Sequence, residues 1–458
     1  MGRSQDPLAF GVMLLHVMMR TATLFLCLLP ASAAFAAALR AGYAKADITP
    51  AEPVVLVGYD LRGDAPSDGI HGDDKLFIRA LVFDDGATKV AFIEGDVIWI
   101  QQPDTWRKRI AEATGIPFDN ILIGEAHNHA APSPSPDGKR NWDRRFDEAL
   151  LSVAKEAAAR AVPVKIAAGS GVSRVGINRR KVLALDSEST LTFDENARSQ
   201  SFGKFKTDKP AAIRELAGDV RLGANPAGPI DEAVQIVRID TAKGKPLAVM
   251  IHYACHGTSL GGRNSKVSGE WMGRMQKHVE DQVSGLGAIY VQGAAGDINP
   301  RVVGGLDGNT DDVRMSWALG DEIGREAVRV YRSLAPETPG TVSIEVKSKE
   351  ILLPRAYRDL FEDFTQSVAP VPTTAVRIGD LMWVTFPGEM FHSIGKRVKA
   401  ACPARYAHLM GYTNGYIGYL PEQQAYAEGG YEPAVSHLAP VSERIYLREV
   451  AELLSRFR

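Results

Sequence analysis

The feature that most constrains the fold of this chain is a set of apolar segments that are followed by loops containing histidines. A strand-like Ile-Leu-Ile run ending at Ile123 is followed by Glu125-Ala-His-Asn-His-Ala-Ala-Pro132, which places His127 and His129 two residues apart. A second apolar run, Val-Met-Ile, leads in the same way to His256. A single histidine at a strand end is usually structural, but three in two similar contexts favour a site. They are typical of a zinc site in an α/β enzyme, because neutral imidazole is a common zinc ligand.

The alternation of strand-like and helix-like segments predicts an α/β fold, with a central mixed β-sheet flanked by helices in one large domain. Ligands of such folds gather at loops beyond the strand ends, where the histidines lie. A polar stretch over residues 181–228 is interpreted as an irregular surface excursion. The predicted strands include Leu76–Phe83, Lys89–Val97, Ala233–Ile239, Ala288–Gln292 and Thr373–Phe386, and the predicted helices include Thr105–Thr114, Glu270–Gln282, Met315–Leu334 and Val441–Phe457.

The N-terminal segment has the order of a secretory signal peptide. Residues 21–36 follow Arg20, are mostly apolar, and end in Ala34-Phe35-Ala36, which fits the small-residue rule for cleavage. The segment is too short for a comfortable membrane span, although a membrane anchor stays an alternative. The distance of this signal from residue 1 suggests a translation start at Met18 or Met19.

Domain organisation and location follow from this segment. We predict a signal peptide over residues 1–36, with 1–17 as a doubtful upstream extension, and a catalytic domain over residues 37–458. The location is then secreted or periplasmic.

The formal net charge of −2 over 458 residues gives no argument for a nucleic-acid partner. Only Cys255 and Cys402 would remain after cleavage, too few for a disulfide framework.

Several segments share one sequence pattern, in which an apolar run is followed by a loop that contains glycine or proline together with polar residues. They are Glu94-Gly-Asp96, the loops of His127 and His256, Gln292–Pro300 and Phe386–Met390, followed by the tyrosine-rich run Tyr412–Tyr419 and by Tyr431-Glu432. In content and order these segments resemble the catalytic domain of the neutral/alkaline, non-lysosomal ceramidases. The resemblance covers nearly the whole chain after the signal peptide.

This resemblance implies a zinc cofactor, and an open position for water on the metal. The implied zinc ligands are His127, His256, Glu389 and Tyr419. The side chains implied to contact the substrate amide or its developing oxyanion are His129, Arg179 and Tyr431. The implied reaction is hydrolysis of an N-acyl amide by zinc-bound water, with ceramide giving sphingosine and a fatty acid. A lipid or amphiphilic substrate, and transient contact with a membrane surface, are the implied partners.

Two departures from the family bear on the substrate. The family's Gln-Ser motif has no serine here, since Gly293 follows the glutamine, and no counterpart of the family's C-terminal immunoglobulin-like domain precedes Arg458. Two alternatives therefore stay open: a zinc hydrolase of another lipid or cell-envelope amide or ester, and a metal-containing binding protein without turnover. We further expect Asp96 and Asp297 to orient the ligand imidazoles.

Overall fold

Short apolar strands form an eight-stranded mixed sheet at the centre of the chain. A computed structural model describes residues 1, 38–59, 62–182, 220–304, 313–338, 342–356 and 367–457. Within it, Ala38–Arg458 forms one compact unit, and the predicted signal peptide lies outside the described residues, apart from Met1. The strands of this sheet are β1 (Arg40–Asp47), β2 (Phe77–Asp84), β3 (Lys89–Gly95), β4 (Ile121–Glu125), β5 (Val162–Val172), β8 (Ala233–Thr241), β9 (Pro246–Tyr253) and β10 (Gly287–Gln292).

The strand order in this sheet is β10-β9-β8-β5-β1-β2-β3-β4. The pairs β9–β10 and β3–β4 are parallel, and the other neighbouring pairs are antiparallel. The loops that follow β4 and β9 meet, because Asn128 and Gly257 form a parallel bridge between them. The fold therefore brings distant loops together.

Three smaller sheets complete the described strands. A three-stranded sheet has the order β11-β6-β7, a four-stranded sheet the order β12-β13-β14-β16, and a two-stranded ribbon pairs β15 with β17; their bounds are β6 (Gly176–Val182), β7 (Val220–Asn225), β11 (Ile298–Pro300), β12 (Ile344–Pro354), β13 (Val368–Ile378), β14 (Leu381–Thr385), β15 (Glu389–Met390), β16 (Tyr406–Met410) and β17 (Tyr419–Leu420).

The longer helices cover the outer faces of the two larger sheets, and two short helices follow β17. They are α1 (Pro103–Thr114), α2 (Asn141–Ala159), α3 (Glu270–Gln282), α4 (Val313–Ser333), α5 (His392–Ala401), α6 (Ala425–Glu428), α7 (Tyr431–Val435) and α8 (Ser442–Leu454). No helix in the described ranges has the length and apolar content needed to cross a bilayer.

Alternation along the strands explains the layers. On β2, Val82 packs into a core with Phe146 of α2, whereas the next residue, Phe83, points to the opposite face and shares a core with Trp383 of β14. On its other face the four-stranded sheet packs against α5 and α8, for example through Val384. The layers are thus helix, sheet, sheet and helix, each pair closed by apolar side chains that the period of two directs inward.

The predicted α/β class with a central mixed sheet is confirmed, and two segment predictions are wrong. The stretch 181–228 was expected to be irregular, but its last part contains β7, which pairs with β6; residues 183–219 lie outside the described residues. The segment Thr373–Phe386 was expected to be one strand, but β13 and β14 pair through a turn at Gly379, whose φ of 58° suits glycine.

Candidate metal centre and active site

Three histidines meet beyond the ends of β4 and β9. The ligand-type nitrogens of His127, His129 and His256 all lie within 4.8 Å of one another. Nε2 of His127 is 3.2 Å from Nε2 of His129, and the rings of His127 and His256 stand edge to face with centroids 5.0 Å apart. The sequence placed His129 outside the zinc ligands, but its nitrogen lies in the same cluster as the other two.

Glu389 closes this cluster from the short ribbon of β15 and β17. Its Oε2 is 2.8 Å from Nε2 of His256, and its Oε1 is 3.6 Å from Nε2 of His127. Tyr416, which was not predicted as a site residue, donates its hydroxyl to Oε1 of Glu389. We call His127, His129, His256 and Glu389 the His–Glu centre.

The backbone around His127 is strained and held in place by a neighbouring turn. His127 has φ of 54°, in the left-handed region that non-glycine residues rarely adopt. Asn414 fixes the end of β4, since its side-chain oxygen accepts the Ile123 N–H at 2.9 Å and its own N–H donates to the Ile123 carbonyl at 2.8 Å. In the same turn, the ring of Tyr412 stacks on His127 with centroids 4.3 Å apart. These contacts aim the imidazole at the centre.

Backbone carbonyls decide where the ring protons lie. Nδ1 of His256 is 2.7 Å from the carbonyl oxygen of Ala295 and 3.0 Å from that of Ile298, and Nδ1 of His127 is 3.2 Å from the oxygen of Ile98. Because a carbonyl only accepts, each Nδ1 carries the proton. In a neutral imidazole the Nε2 atom is then left with a lone pair, and these lone pairs face the centre.

The centre therefore brings several hydrogen-bond acceptor atoms together, and such a set favours a bound cation. Nε2 of His256 and Oε2 of Glu389 face each other at 2.8 Å, and neither carries a hydrogen in these protonation states. The buried Nδ1 of His129 has no hydrogen-bond partner in the described part of the chain. Imidazole nitrogens and one carboxylate are the donor set of catalytic zinc sites. The residues present fit a zinc ion.

Electrostatics keep these groups in the forms that bind a metal. Burial lowers the pKa of His127 to about 4, and burial together with the nearby imidazoles lowers the pKa of His129 well below its ordinary value. Burial alone would raise the pKa of Glu389, but His127 and His256 outweigh it and hold that pKa below its ordinary value. Neutral imidazoles and an ionised carboxylate are what a metal needs at neutral pH.

Arg179 lies beside the centre and is clamped from behind by a buried carboxylate. Its Nε donates to Oε1 of Glu432 at 2.7 Å, its Nη1 lies 3.1 Å from Nε2 of His256, and its Nη2 donates to the Tyr419 hydroxyl at 3.0 Å. Arg180 instead turns to the other oxygen, Oε2 of Glu432, at 2.9 Å. Arg179 is thus the arginine of this pair that faces the centre.

The two predicted tyrosines line the same side. Tyr419 is the register partner of Glu389 in the β15–β17 ribbon, and its ring is 5.8 Å from that of Tyr431. The guanidinium carbon of Arg179 lies 5.9 Å from the Tyr431 ring, which is half-buried. The structure thus gathers all seven predicted site residues, and their division into zinc ligands and substrate contacts stays a prediction.

The expected role of two aspartates is wrong. Asp96 forms a buried ion pair with Arg79 at 2.8 Å, and Asp297 accepts from Nδ1 of His392 at 2.6 Å. The imidazoles of His127 and His256 are oriented by backbone carbonyls instead. A carbonyl from a loop leaves no signature in side-chain identity, so the sequence could not indicate this.

A second buried group, which the sequence did not indicate, fastens the loop of His256. The carboxylate of Glu270 accepts from the N–H groups of Ser259 and Leu260, both at 3.1 Å, and Trp271 donates its indole N–H to the His256 carbonyl at 2.9 Å. Glu270 itself has φ of 57° and is fully buried. The first turn of α3 therefore holds this loop in place.

Glu270 should make stability depend on pH. Burial raises its pKa from the ordinary 4.5 to about 7, so between these values the folded state keeps a proton that the unfolded chain has lost. Its contribution to the free energy of unfolding is full below pH 4.5 and falls by about 3 kcal/mol as the pH rises past 7. We expect Glu270→Gln to remove this slope in denaturant titrations from pH 5 to 8. Glu112→Gln, at an exposed position of α1, is the control, and an unchanged slope in Glu270→Gln would contradict the assignment.

Gly293, which follows the glutamine of the predicted motif, has no room for a side chain. A Cβ there would lie 2.9 Å from Cβ and 3.1 Å from Cα of Ala254. We expect Gly293→Ser to lower the free energy of unfolding by about 1–3 kcal/mol through overpacking and to bring no gain in activity. Gly293→Ala adds the same Cβ without the hydroxyl and is the matched control. Higher hydrolytic activity in the serine variant than in the alanine variant would contradict this expectation.

The two cysteines among the described residues are free. Cys255 is buried and Cys402 is half-buried, and no disulfide joins them. Burial raises the pKa of the Cys255 thiol well above its ordinary value, so this thiol is not a ready nucleophile.

Comparison with solved structures shows that the chain has a known fold. No protein-family model matches the sequence, and no curated protein matches it. The solved structure of the neutral ceramidase from Pseudomonas aeruginosa aligns with a TM-score of 0.68 over 91% of this chain and 74% of its own, at 17% identity. A ceramidase complexed with C2 aligns with a TM-score of 0.67 over 91% of this chain and 75% of its own, also at 17% identity. The chain has a neutral-ceramidase-like fold, which confirms the resemblance at the level of fold.

Proposed function

We propose that this protein is a zinc-dependent hydrolase of an N-acyl amide, with ceramide as the substrate, cleaved to sphingosine and a fatty acid. The observation that carries the proposal is the His–Glu centre, in which three imidazoles and a carboxylate converge beside a clamped arginine within a ceramidase-like fold. A zinc ion held there would polarise the substrate carbonyl and lower the pKa of a bound water towards ~7.

The ligands we propose are His127, His256 and Glu389, with Tyr419 as a weak fourth. His129 lies close enough to share the ion, since one of its ring nitrogens is within 4.8 Å of a ring nitrogen of each of the other two histidines. Its buried Nδ1 lacks a partner in the described ranges. A neutral imidazole in this position can also pass a proton to the departing amine nitrogen.

Arg179 has the charge and direction to bind the carbonyl side of the substrate. Its guanidinium is held by Glu432 on one side and reaches His256 and Tyr419 on the other. A fixed cation in a buried site stabilises negative charge on an oxygen without reorganising. Tyr431, half-buried beside it, would contact the substrate from the open side of the site.

A metal analysis paired with a substrate panel tests the proposal. Purified protein should contain about one zinc per chain, and a chelator should remove both the zinc and the activity. The panel compares a fluorescent N-acyl sphingosine with a short-chain ester. Hydrolysis of the ester alone would contradict ceramide as the substrate and would favour another lipid or cell-envelope substrate. Hydrolysis of neither compound would favour a metal-containing binding protein without turnover.

We also propose that the protein is exported through residues 1–36. The support is the basic, apolar and small-residue order of that segment. Mass spectrometry of the protein from the periplasm or medium should find Ala37 as the first residue. An intact N-terminus on protein recovered from the cell interior would contradict export.

A further inference from the structure

Asn299, which no argument from the sequence singled out, lies next to the guanidinium of Arg179. It is the middle residue of β11 and is half-buried. Nη1 of Arg179 donates to its side-chain oxygen at 3.3 Å, and the Thr258 hydroxyl lies 3.5 Å from the same oxygen. The amide is therefore held from two sides by the loops that also carry the His–Glu centre.

The orientation of this amide is fixed by chemistry. A guanidinium has only donors, so the group that faces Arg179 must be the oxygen of Asn299 and not its nitrogen. The Nδ2 atom, with two N–H donors, then points away from Arg179. Within the part of the chain that the structure describes, Nδ2 has no protein acceptor, and it is not among the buried polar atoms that lack a partner. An oriented donor next to a fixed cation is thus open to a ligand.

We propose that Asn299 is a catalytic residue, whose Nδ2 donates to the carbonyl oxygen of the scissile amide as that oxygen gains charge. This inference rests on the proposed hydrolase function and deepens it. When a water oxygen bonds to the carbonyl carbon, the electron pair of the C=O double bond moves to the oxygen. The C=O bond re-forms as the C–N bond breaks, and the proton that the attacking water loses passes through the His129 imidazole to the amine nitrogen, so that the products are the fatty acid and the amine. Asn299 and Arg179 would hold the oxygen while it carries the charge.

The size of the expected effect follows from known oxyanion sites. Loss of one such donor typically lowers kcat by about 10²–10³-fold. We expect this loss in Asn299→Ala, with KM changed by less than about threefold, because the donor acts mainly in the transition state. Asn299→Asp keeps the size and an acceptor for Arg179 but replaces the donors with negative charge, and its kcat should fall at least as far. Thr258→Val removes only the hydroxyl behind the amide, and its kcat should fall less than tenfold.

The experiment measures kcat and KM of these three variants with a fluorescent N-acyl sphingosine, together with zinc content and the thermal midpoint. Calorimetry with a phosphonate analogue of the tetrahedral carbon adds a readout without turnover, and Asn299→Ala should bind it about 10²-fold more weakly at unchanged zinc content. Wild-type turnover combined with an Asn299→Ala kcat within threefold of wild type would overturn the role of Asn299 alone. Loss of zinc in Asn299→Ala would also overturn it, in favour of a structural role. A wild type that hydrolyses no substrate would overturn the proposed function, and this inference with it.

Discussion

Replacement of His256 by alanine should abolish zinc binding and hydrolysis together. Its Nε2 faces Glu389 at 2.8 Å and is held there by two backbone carbonyls on the other side of the ring. Loss of a mere orienting partner of a zinc ligand costs about 10–100-fold in affinity, so loss of a ligand should exceed about 100-fold. Competition with a chromophoric chelator measures the affinity, and the substrate panel measures the activity.

His278→Ala is the matched control for this variant. His278 contacts Asp321 at 3.1 Å on the surface of α3 and α4, outside the His–Glu centre. It should keep wild-type zinc content. Wild-type zinc affinity in His256→Ala would refute the proposed centre.

Replacement of Glu432 by alanine should cause the largest loss of stability that we predict. Its carboxylate pairs with both Arg179 and Arg180, and all three side chains are at most 8% exposed. Removing one partner of a buried ion pair typically costs about 3–5 kcal/mol, because the remaining charge stays buried without compensation. Chemical denaturation of the wild type and of Glu432→Ala at pH 7 measures the difference in their free energies of unfolding.

Glu428 offers a control on the same pair of arginines. It contacts Arg180 at 3.2 Å, but its side chain is 40% exposed. Its replacement by alanine should cost less than about 1 kcal/mol, as for surface ion pairs. Equal losses of stability in Glu432→Ala and Glu428→Ala would show that burial does not set the strength of these ion pairs.

Most of the architecture could be predicted because local patterns determine it. The helix Glu270–Gln282 was predicted with the bounds that the structure has, and the predicted strand Ala288–Gln292 differs from β10 by one residue. Periodicity sufficed there, since buried apolar side chains alternate with the strand or helix period. It did not suffice for β7, a polar strand on the edge of a small sheet with partly exposed side chains.

The site was predictable in its histidines and less so in its surroundings. His127 and His256 stand at strand ends with a recognisable pattern, whereas Glu270 and Asn299 are held near the site by hydrogen bonds that only the folded chain creates. Tyr416 lies in the same tyrosine run as Tyr419, so the run indicated the region but not which hydroxyl would reach Glu389. Residue type points to chemistry, and three-dimensional proximity decides which residue performs it.

The lone pairs that face one another between His256 and Glu389 have a practical consequence. Because their repulsion is relieved when a cation lies between them, the folded protein should be markedly more heat-resistant with zinc than after dialysis against a chelator. At a free ion concentration about 1,000 times the dissociation constant, the gain would be about 4 kcal/mol. The trace-metal content of the storage buffer would then set how long a purified sample stays folded. Samples stored in buffers with different metal content would therefore differ in shelf life.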